Sequence, residues 1–457
     1  MSTCLGKLDF LKKTEVYIAV NLLTKFKEIY FNKESLSEED MRVSRNLSIF
    51  EGCTARSILT LTSGAFLVGF AKYLGASDEK AGIIAAIPVL AGIVTVFSPI
   101  VIEKLESRKL LTCMLCFIGR LMMGLMILIP FISPYKTVRV QLLIWVFFIA
   151  NLILAFTTPY AQTWLLNITP KRIRGDYYGK RESIVLGTVT VVTLIMGQVL
   201  DKFERMGQQF TGFIVLYAFV IVTAIINTVL FSKIKEPVNP VLKPGVSFKN
   251  LFSLPVKNKN FMKITFITLF WNLGYQIAFP FTSVYMVSIL HLRYGLVTVM
   301  AVLASITSVV SVRFWGKIAD KKSWLYIMKL MIVLQILSFL TWFFINPDTV
   351  YILMPVAHIL GGAAISGVNI SVNNLQYSYS PADNKTVYMG FSSAVNGIIG
   401  FLGTLAGSLF IKVMDTRGVS LGGFSIGNMQ MLFLAAVIVL IVSMFGISKF
   451  KFSNSNI

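Results

Sequence analysis

Three ionisable side chains interrupt apolar stretches of this chain, where an unpaired charge is costly. Arg56 lies about nine residues into one stretch and Arg120 about ten residues into another, so the rise of a helix places both well inside. A guanidinium at such a depth can bind an anionic solute, or it can pair with protein groups, as Arg56 with Glu51. His358 can titrate near neutral pH and couple protons, or form a hydrogen bond between helices. These residues are the first candidates for a solute site.

Amide and aromatic side chains in the middle of apolar stretches form a second group of candidates. Asn272 and Gln276 are four residues apart, which places them on one face of a helix, and Trp271 adjoins them. Such groups on facing helices suit a polar solute, whereas each one alone is explained by hydrogen bonding between helices. The same argument adds asparagines from two other stretches: Asn151, Asn369 and Asn373.

No residue pattern in the sequence is typical of catalysis or of a cofactor. Gly-x-Ser-x-Gly, His-Glu-x-x-His and the glycine-rich phosphate loop are absent, so we predict that the chain is not an enzyme. Cys113 and Cys116 lie inside an apolar stretch, where they serve as small packing residues. With only 2 His in the chain, no metal site and no cofactor are expected.

Acidic residues are expected only at the ends of the apolar stretches. Glu51 and Glu182 fall at inner ends and Asp201 at an outer end. The sequence therefore offers no clear buried carboxylate for proton coupling. A coupling proton, another coupling ion and facilitated movement without an ion all stay open.

The composition predicts that lipid surrounds most of the chain. Of 457 residues, 55% are hydrophobic and 14% are charged, with a mean hydropathy of +0.74, whereas soluble domains average about 25% charged residues. The net charge of +21 lies mainly in short loops, which fits the anionic inner surface of a membrane. Nucleic acid would need an exposed basic domain, which is lacking. The expected partners are therefore membrane lipids and a small-molecule solute.

Twelve apolar stretches are long enough to cross about 30 Å of hydrocarbon as helices. We predict an all-α integral membrane protein, a monomer, with twelve transmembrane helices in two pseudo-symmetric six-helix bundles. The first bundle, residues 47–232, has the spans Leu47–Leu74, Ala81–Ile102, Leu110–Ile132, Val140–Ile168, Ser183–Leu200 and Phe210–Phe231. The second, residues 261–447, has the spans Phe261–Leu290, Leu296–Trp315, Trp324–Phe344, Val350–Tyr377, Phe391–Val413 and Met429–Phe445.

The segments outside the bundles are predicted to be cytoplasmic. With the N-terminus inside, roughly 29 Lys and Arg fall on the cytoplasmic side and roughly 9 outside, so both termini are expected in the cytoplasm. Residues 233–260 carry several prolines and lysines and form a linker. Residues 1–46 fit either an amphipathic helix on the membrane surface or a polar tail. Residues 448–457 form a short cytoplasmic tail.

Matching motifs in the two halves indicate an internal repeat. Pro170–Gly179 and Pro381–Gly390 share Pro, Tyr and Gly at the same spacing, and each lies between two apolar stretches. A second pair consists of Pro99–Lys104 and Gly316–Lys321. A chain built twice from one helical unit is typical of a membrane transporter with two related halves.

On these motifs the chain resembles the major facilitator superfamily over residues 47–447, and residues 48–77 with Arg174–Arg181 resemble a bacterial branch of it. Gly316–Lys322 is similar to the superfamily's signature loop, whereas the first-half copy is degenerate, with Pro99 for Gly and Glu103 for Asp. The resemblance implies a solute site near the midplane, exposed to each side in turn as the halves rock. We assign the cytoplasmic gate to five residues, with Asp320 expected to meet Arg181: Glu103, Asp320, Arg181, Gly179 and Gly390.

The function predicted from these observations is secondary transport of a small solute. The aromatic content, 36 Phe, 16 Tyr and 6 Trp, slightly favours export of an amphipathic compound, that is, efflux. A transporter-like receptor or scaffold and a lipid-handling membrane protein stay open as alternatives, the former because of the degenerate first loop. We expect Arg56, Asn272 and Gln276 to face one central cavity, in which Arg56 favours an anionic solute.

Overall fold

The computed structural model describes residues 24, 30, 36–98, 108–237, 248–381, 385–414, 419–421 and 424–449. The helices described in the first half are α1 (Glu38–Leu61), α2 (Gly64–Tyr73), α3 (Asp78–Ala91), α4 (Arg108–Leu125), α5 (Ile129–Ile132), α6 (Lys136–Asn167), α7 (Arg174–Arg205) and α8 (Gln209–Lys233). Those in the second half are α9 (Phe248–Lys257), α10 (Lys259–Val284), α11 (Tyr294–Lys321), α12 (Trp324–Phe344), α13 (Val350–Tyr379), α14 (Lys385–Val413) and α15 (Asn428–Lys449).

Short irregular elements extend or connect these helices. A 3₁₀ turn, Gly92–Val96, prolongs α3, and another, Met126–Leu128, joins α4 to α5. A π-turn, Tyr285–Ile289, follows α10. Before α15 lies an antiparallel hairpin of β1 (Val419–Leu421) and β2 (Phe424–Ile426). The predicted helix within residues 1–35 falls almost wholly outside the described residues.

Ten helices of the described chain are long and apolar enough to cross a membrane, and α1 with α2 makes an eleventh if the bent pair is one span. α10 has 26 residues, which is long enough to cross. It is not among these ten, and its polar residues Asn272 and Gln276 and its internal Pro280 interrupt its apolar residues. The predicted count of twelve spans therefore depends on counting α10 by its length, and it stays a prediction.

The first span begins well before its apolar residues. Ser37 caps α1, because its Oγ accepts from the N–H of Asp40 at 3.1 Å, while the Asp40 carboxylate accepts from the N–H of Ser37 at 3.3 Å. Three acidic residues in the first turn add favourable charge at the helix start. As a result α1 starts at Glu38, whereas the apolar pattern alone placed the edge at Leu47.

The first span is also bent by 42° between α1 and α2. Gly64 at the start of α2 has φ of +53°, a conformation that residues with a side chain rarely adopt. The Thr62 hydroxyl donates to the Ile58 carbonyl at 2.8 Å and so satisfies an acceptor at the end of α1. The predicted continuous span Leu47–Leu74 is therefore two helical segments.

The two halves contact each other along two seams. In the first, α3 with its 3₁₀ extension packs against α14, and α3 also meets α10; in the second, α7 packs against α11. A Cβ on Gly197 would lie 3.3 Å from Gly295, so the backbones of α7 and α11 are close at that point. A Cβ on Gly187 or Gly316, towards the other ends of these helices, meets no atom within 4 Å. The second seam is therefore tight where α7 ends and α11 begins.

The repeated Pro–Tyr–Gly motif makes the same contact in each half. Tyr177 at the start of α7 donates its hydroxyl to the Arg45 carbonyl in α1 at 2.8 Å. Tyr388 at the start of α14 donates its hydroxyl to the Leu254 carbonyl in α9 at 3.0 Å. In both halves the motif thus joins the helix after it to a backbone carbonyl near the start of that half, on α1 in the first half and on α9 in the second, which supports the internal repeat.

Candidate functional site

An alternating row of charged side chains crosses the first half from α4 through α1 to α7. Arg120 Nη2 lies 3.4 Å from Glu51 Oε1, and Glu51 Oε2 lies 3.7 Å from Arg181 Nη2. Arg181 Nη1 lies 2.8 Å from Glu182 Oε1, and Glu182 Oε2 lies 3.8 Å from Arg56 Nη2. We call these five residues the charge ladder. With three guanidiniums and two carboxylates, it has a formal charge of +1 (3 − 2).

Asn227 on α8 completes the buried end of the charge ladder. Its Nδ2 donates to the Glu51 carbonyl at 3.0 Å and to Thr54 Oγ1 at 2.7 Å, and its Oδ1 accepts from Arg120. Asn227 is 0% exposed and Glu51 is 6% exposed. A buried ion pair is tolerated when polar groups surround it, and Asn227 and Thr54 provide such groups around Glu51 and Arg120. The Arg120 guanidinium therefore pairs with protein groups, which is the second of the two roles that the sequence left open for it, rather than binding a solute.

The polar residues at the start of α1 extend the helix beyond its apolar stretch, so Glu51, which the sequence places at the inner end of that stretch, lies inside the helix. Because α1 begins at Glu38, this carboxylate lies about 20 Å along the helix, at about 1.5 Å per residue. The first half thus contains a buried carboxylate between two arginines. The sequence signal that could have indicated its surroundings was Asn227, an isolated amide near the end of a strongly apolar stretch.

The other end of the charge ladder is open to solvent. The side chains of Arg56 and Glu182 are 56% and 53% exposed, whereas that of Arg181 is 13% exposed. An exposed ion pair on helices that cross a membrane cannot face hydrocarbon at reasonable cost, so its open side must be aqueous. The charge ladder therefore runs from a dry interior to a wetted surface at Arg56.

In the second half an uncharged set of side chains links α10, α13 and α14. The side-chain amide of Asn396 donates to Thr268 Oγ1 at 3.2 Å, and the backbone carbonyl of Asn396 accepts from the side chain of Asn272 at 2.5 Å. Gln376 donates to the Ser392 hydroxyl at 2.6 Å, and the same hydroxyl accepts from Asn396 at 3.2 Å. We call these five residues the amide network. Asn272 is thus used in helix packing, and no contact joins it to Arg56 among the described residues.

The contacts described for the remaining predicted solute residues are with residues outside the charge ladder. Gln276 is buried beside α14, where a Cβ on Gly400 would lie 3.2 Å from its Cγ. Asn151 donates to the Phe147 carbonyl of its own helix at 2.8 Å. Trp271 stacks on Tyr275, and His358 Nδ1 lies 2.8 Å from the Met354 carbonyl. Asn369 and Asn373 are exposed.

The predicted cytoplasmic gate is described only in part. Arg181 belongs to the charge ladder and has Glu51 and Glu182 as ion partners. Glu103 and the side chain of Asp320 lie outside the described residues, so their contact with Arg181 stays a prediction. A Cβ on Gly179 would meet no atom within 4 Å, and one on Gly390 would lie 4.0 Å from a Val96 methyl group.

A contact that the sequence did not indicate closes the second seam. The Asp201 carboxylate on α7 accepts from the N–H of Tyr294 at 2.7 Å and from the N–H of Gly295 at 2.8 Å. These are the first two residues of α11, so a side chain of one half caps a helix of the other. We call this contact the α7–α11 latch. The only signal in the sequence was an acidic residue near the end of a span.

A comparison with protein families assigns the chain. The sequence profile of the Major Facilitator Superfamily matches residues 52–404. The chain therefore belongs to this superfamily, which confirms the resemblance seen in its motifs and makes it a transporter-type multi-pass membrane protein. A search of curated protein sequences finds no match.

Solved structures with a similar fold are transporters. The nucleoside transporter NupG aligns with a TM-score of 0.64 and 16% identity over 90% of this chain and 100% of that chain. A POT family transporter in complex with a thioalcohol-conjugated peptide aligns with a TM-score of 0.61 and 12% identity, over 88% of this chain and 94% of that chain. A bacterial homologue of the human lysosomal transporter Spinster, inward-facing and unoccupied, aligns with a TM-score of 0.58 and 12% identity, over 90% of this chain and 95% of that chain. At these identities the likeness concerns the fold.

Proposed function

We propose that this protein moves a small anionic solute across the cytoplasmic membrane by rocker-switch alternating access, with both termini in the cytoplasm. The observation that carries the proposal is the half-exposed Arg56–Glu182 pair within membrane-crossing helices. A charge there needs water, and a water-filled path into the membrane is what a transporter provides. Arg56 lies near the middle of the bent first span and is the cation best placed to meet an anionic group.

The second seam supports an inward-facing state. The α7–α11 latch closes the second seam at one end, and the distribution of Lys and Arg makes the opposite end cytoplasmic. Water would then reach Arg56 from the cytoplasm. The similar Spinster homologue is itself described as inward-facing.

Flux through liposomes tests the proposal. Purified protein is reconstituted, and radiolabelled carboxylates are followed in both directions, with and without a pH gradient. We expect saturable flux that Arg56→Gln abolishes. Arg42→Gln is the matched control, because Arg42 forms an exposed pair with Glu39 on the same helix, and it should retain the flux.

The flux assay also separates the alternatives. Flux no greater than in protein-free liposomes for every solute would reject transport and favour the receptor or scaffold, and movement of labelled lipid alone would favour the lipid-handling protein. A faster outward than inward rate would support the preference for export that rests on the aromatic content.

A further inference from the structure

We infer that Glu182 is a built-in occupant of the solute's anion site, and that a carboxylate group of the solute displaces it from between Arg56 and Arg181. The inference rests on the proposed function and makes it more specific, because it names the chemical class of the solute and a residue that sets its affinity. It follows from the unequal way in which the two arginines hold Glu182.

Glu182 forms a hydrogen bond with one arginine and not with the other. Its Oε1 lies 2.8 Å from Arg181 Nη1, a hydrogen-bond distance, whereas its Oε2 lies 3.8 Å from Arg56 Nη2. At 3.8 Å the pair attracts only as charges, since an N–H···O bond needs about 2.7–3.2 Å. Glu182 is the only carboxylate within 4.0 Å of the Arg56 guanidinium among the described residues. The planar donor edge of Arg56 is thus available for a better-placed carboxylate.

Arg181 is held in place independently of Glu182. Its Nε donates to the Ser48 carbonyl at 3.3 Å, and its Nη2 faces Glu51 at 3.7 Å. Gly52 makes room for the guanidinium, since an added Cβ would lie 2.6 Å from Arg181 Nη2. If Glu182 turned away, Arg181 would stay where it is, with one donor edge towards the open side.

Glu182 can leave at little cost. Its side chain is half exposed, so it can rotate into water without leaving a buried charge unpaired. Its pair with Arg56 is exposed and contributes little net stability, whereas a carboxylate that replaces it and binds both guanidiniums gains charge-assisted hydrogen bonds from both. The formal charge of +1 on the charge ladder favours the binding of one further anion.

Equilibrium binding to detergent-purified protein tests this inference. Benzoate and succinate are titrated by calorimetry, with benzamide and succinamide as neutral counterparts of the same shape. Glu182→Gln keeps the size of the side chain and removes the competing charge. We expect it to bind both carboxylates roughly fivefold more tightly, the factor expected from losing a competing exposed ion pair, and to leave the amides unchanged. Arg56→Gln should lose the preference for carboxylates.

The control and the contrary results are well defined. Glu39→Gln removes a carboxylate from an exposed pair with Arg42 and should leave affinity as in the wild type. Equal or weaker carboxylate binding by Glu182→Gln, with or without a lower melting temperature, would overturn the inference and leave Glu182 a structural residue. The inference would also be overturned if the wild type and Glu182→Gln each bound the carboxylates no more tightly than the corresponding amides. Flux of neutral solutes would then still support transport, so the two proposals can fail separately.

Discussion

Replacing Asp201 by Asn tests whether the α7–α11 latch holds the two halves together at this end. The carboxylate is 8% exposed and accepts from two backbone N–H groups, those of Tyr294 and Gly295. Asn keeps one acceptor oxygen and turns an N–H₂ group towards the other N–H. The change therefore removes one charge-assisted hydrogen bond, worth about 1.5–3 kcal/mol. It also removes the attraction of the carboxylate to the start of α11, about 0.5 kcal/mol.

The loss of about 2–3.5 kcal/mol destabilises one conformational state, because the latch can form only when the halves are closed at this end. The equilibrium should therefore move by roughly 30- to 400-fold towards the state that is open there. Spin labels at Met206 and Val299, both exposed near the latch on opposite halves, report the separation by double electron–electron resonance. We expect a longer distance to become populated in Asp201→Asn, in a background without the native cysteines.

Asp348→Asn is the matched control, because Asp348 is an exposed loop residue of the second half that forms no ion pair among the described residues. It should leave the distance distribution unchanged. If Asp201→Asn also leaves the distribution unchanged, the latch does not set the conformational equilibrium, and the reasoning from its two hydrogen bonds is refuted.

Two further predictions concern the stability of each half. Glu51→Gln should lower the free energy of unfolding by about 3–5 kcal/mol, because it leaves the two buried guanidiniums of the charge ladder without their shared carboxylate. The melting temperature measures this, and Glu39→Gln, in an exposed pair at the start of α1, should cost less than about 1 kcal/mol. Tyr388→Phe removes a hydrogen bond to a backbone carbonyl and should cost about 1 kcal/mol, whereas Tyr177→Phe also removes the contact with the Ser48 hydroxyl and should cost about 1–2 kcal/mol. A marked loss in one half alone would show that the two contacts are not equivalent.

The membrane class and the repeat could be predicted because each depends on residues that are close together in the sequence. A long apolar stretch must be a helix in lipid, and the Pro–Tyr–Gly motif marks the same helix start in each half. The start of α1 was missed because a polar capping box at Ser37, outside the apolar pattern, sets it. The apolar residues of α10 are interrupted by the same amides that made Asn272 a candidate, which is why α10 is not among the ten helices counted as spans.

The candidate site could be predicted only as single residues. The spacing placed Arg56 and Arg120 inside spans, but a sequence does not say which helices are neighbours. The partner of Arg120 is on α1, 69 residues earlier in the chain, and its other partner is on α8. The sequence placed Asp201 at a span end but could not give its partners. The N–H groups that donate to its carboxylate belong to the backbone of a helix from the other half.

The buried end of the charge ladder constrains how the chain is made. Glu51 enters the membrane during translation 69 residues before Arg120 and 176 residues before Asn227, the groups that satisfy it. Until those helices have been synthesised, α1 carries an uncompensated carboxylate and is a poor candidate for release into lipid. The insertion machinery should therefore retain α1 until α4 and α8 arrive. The first half would then assemble as one unit while the second is still on the ribosome.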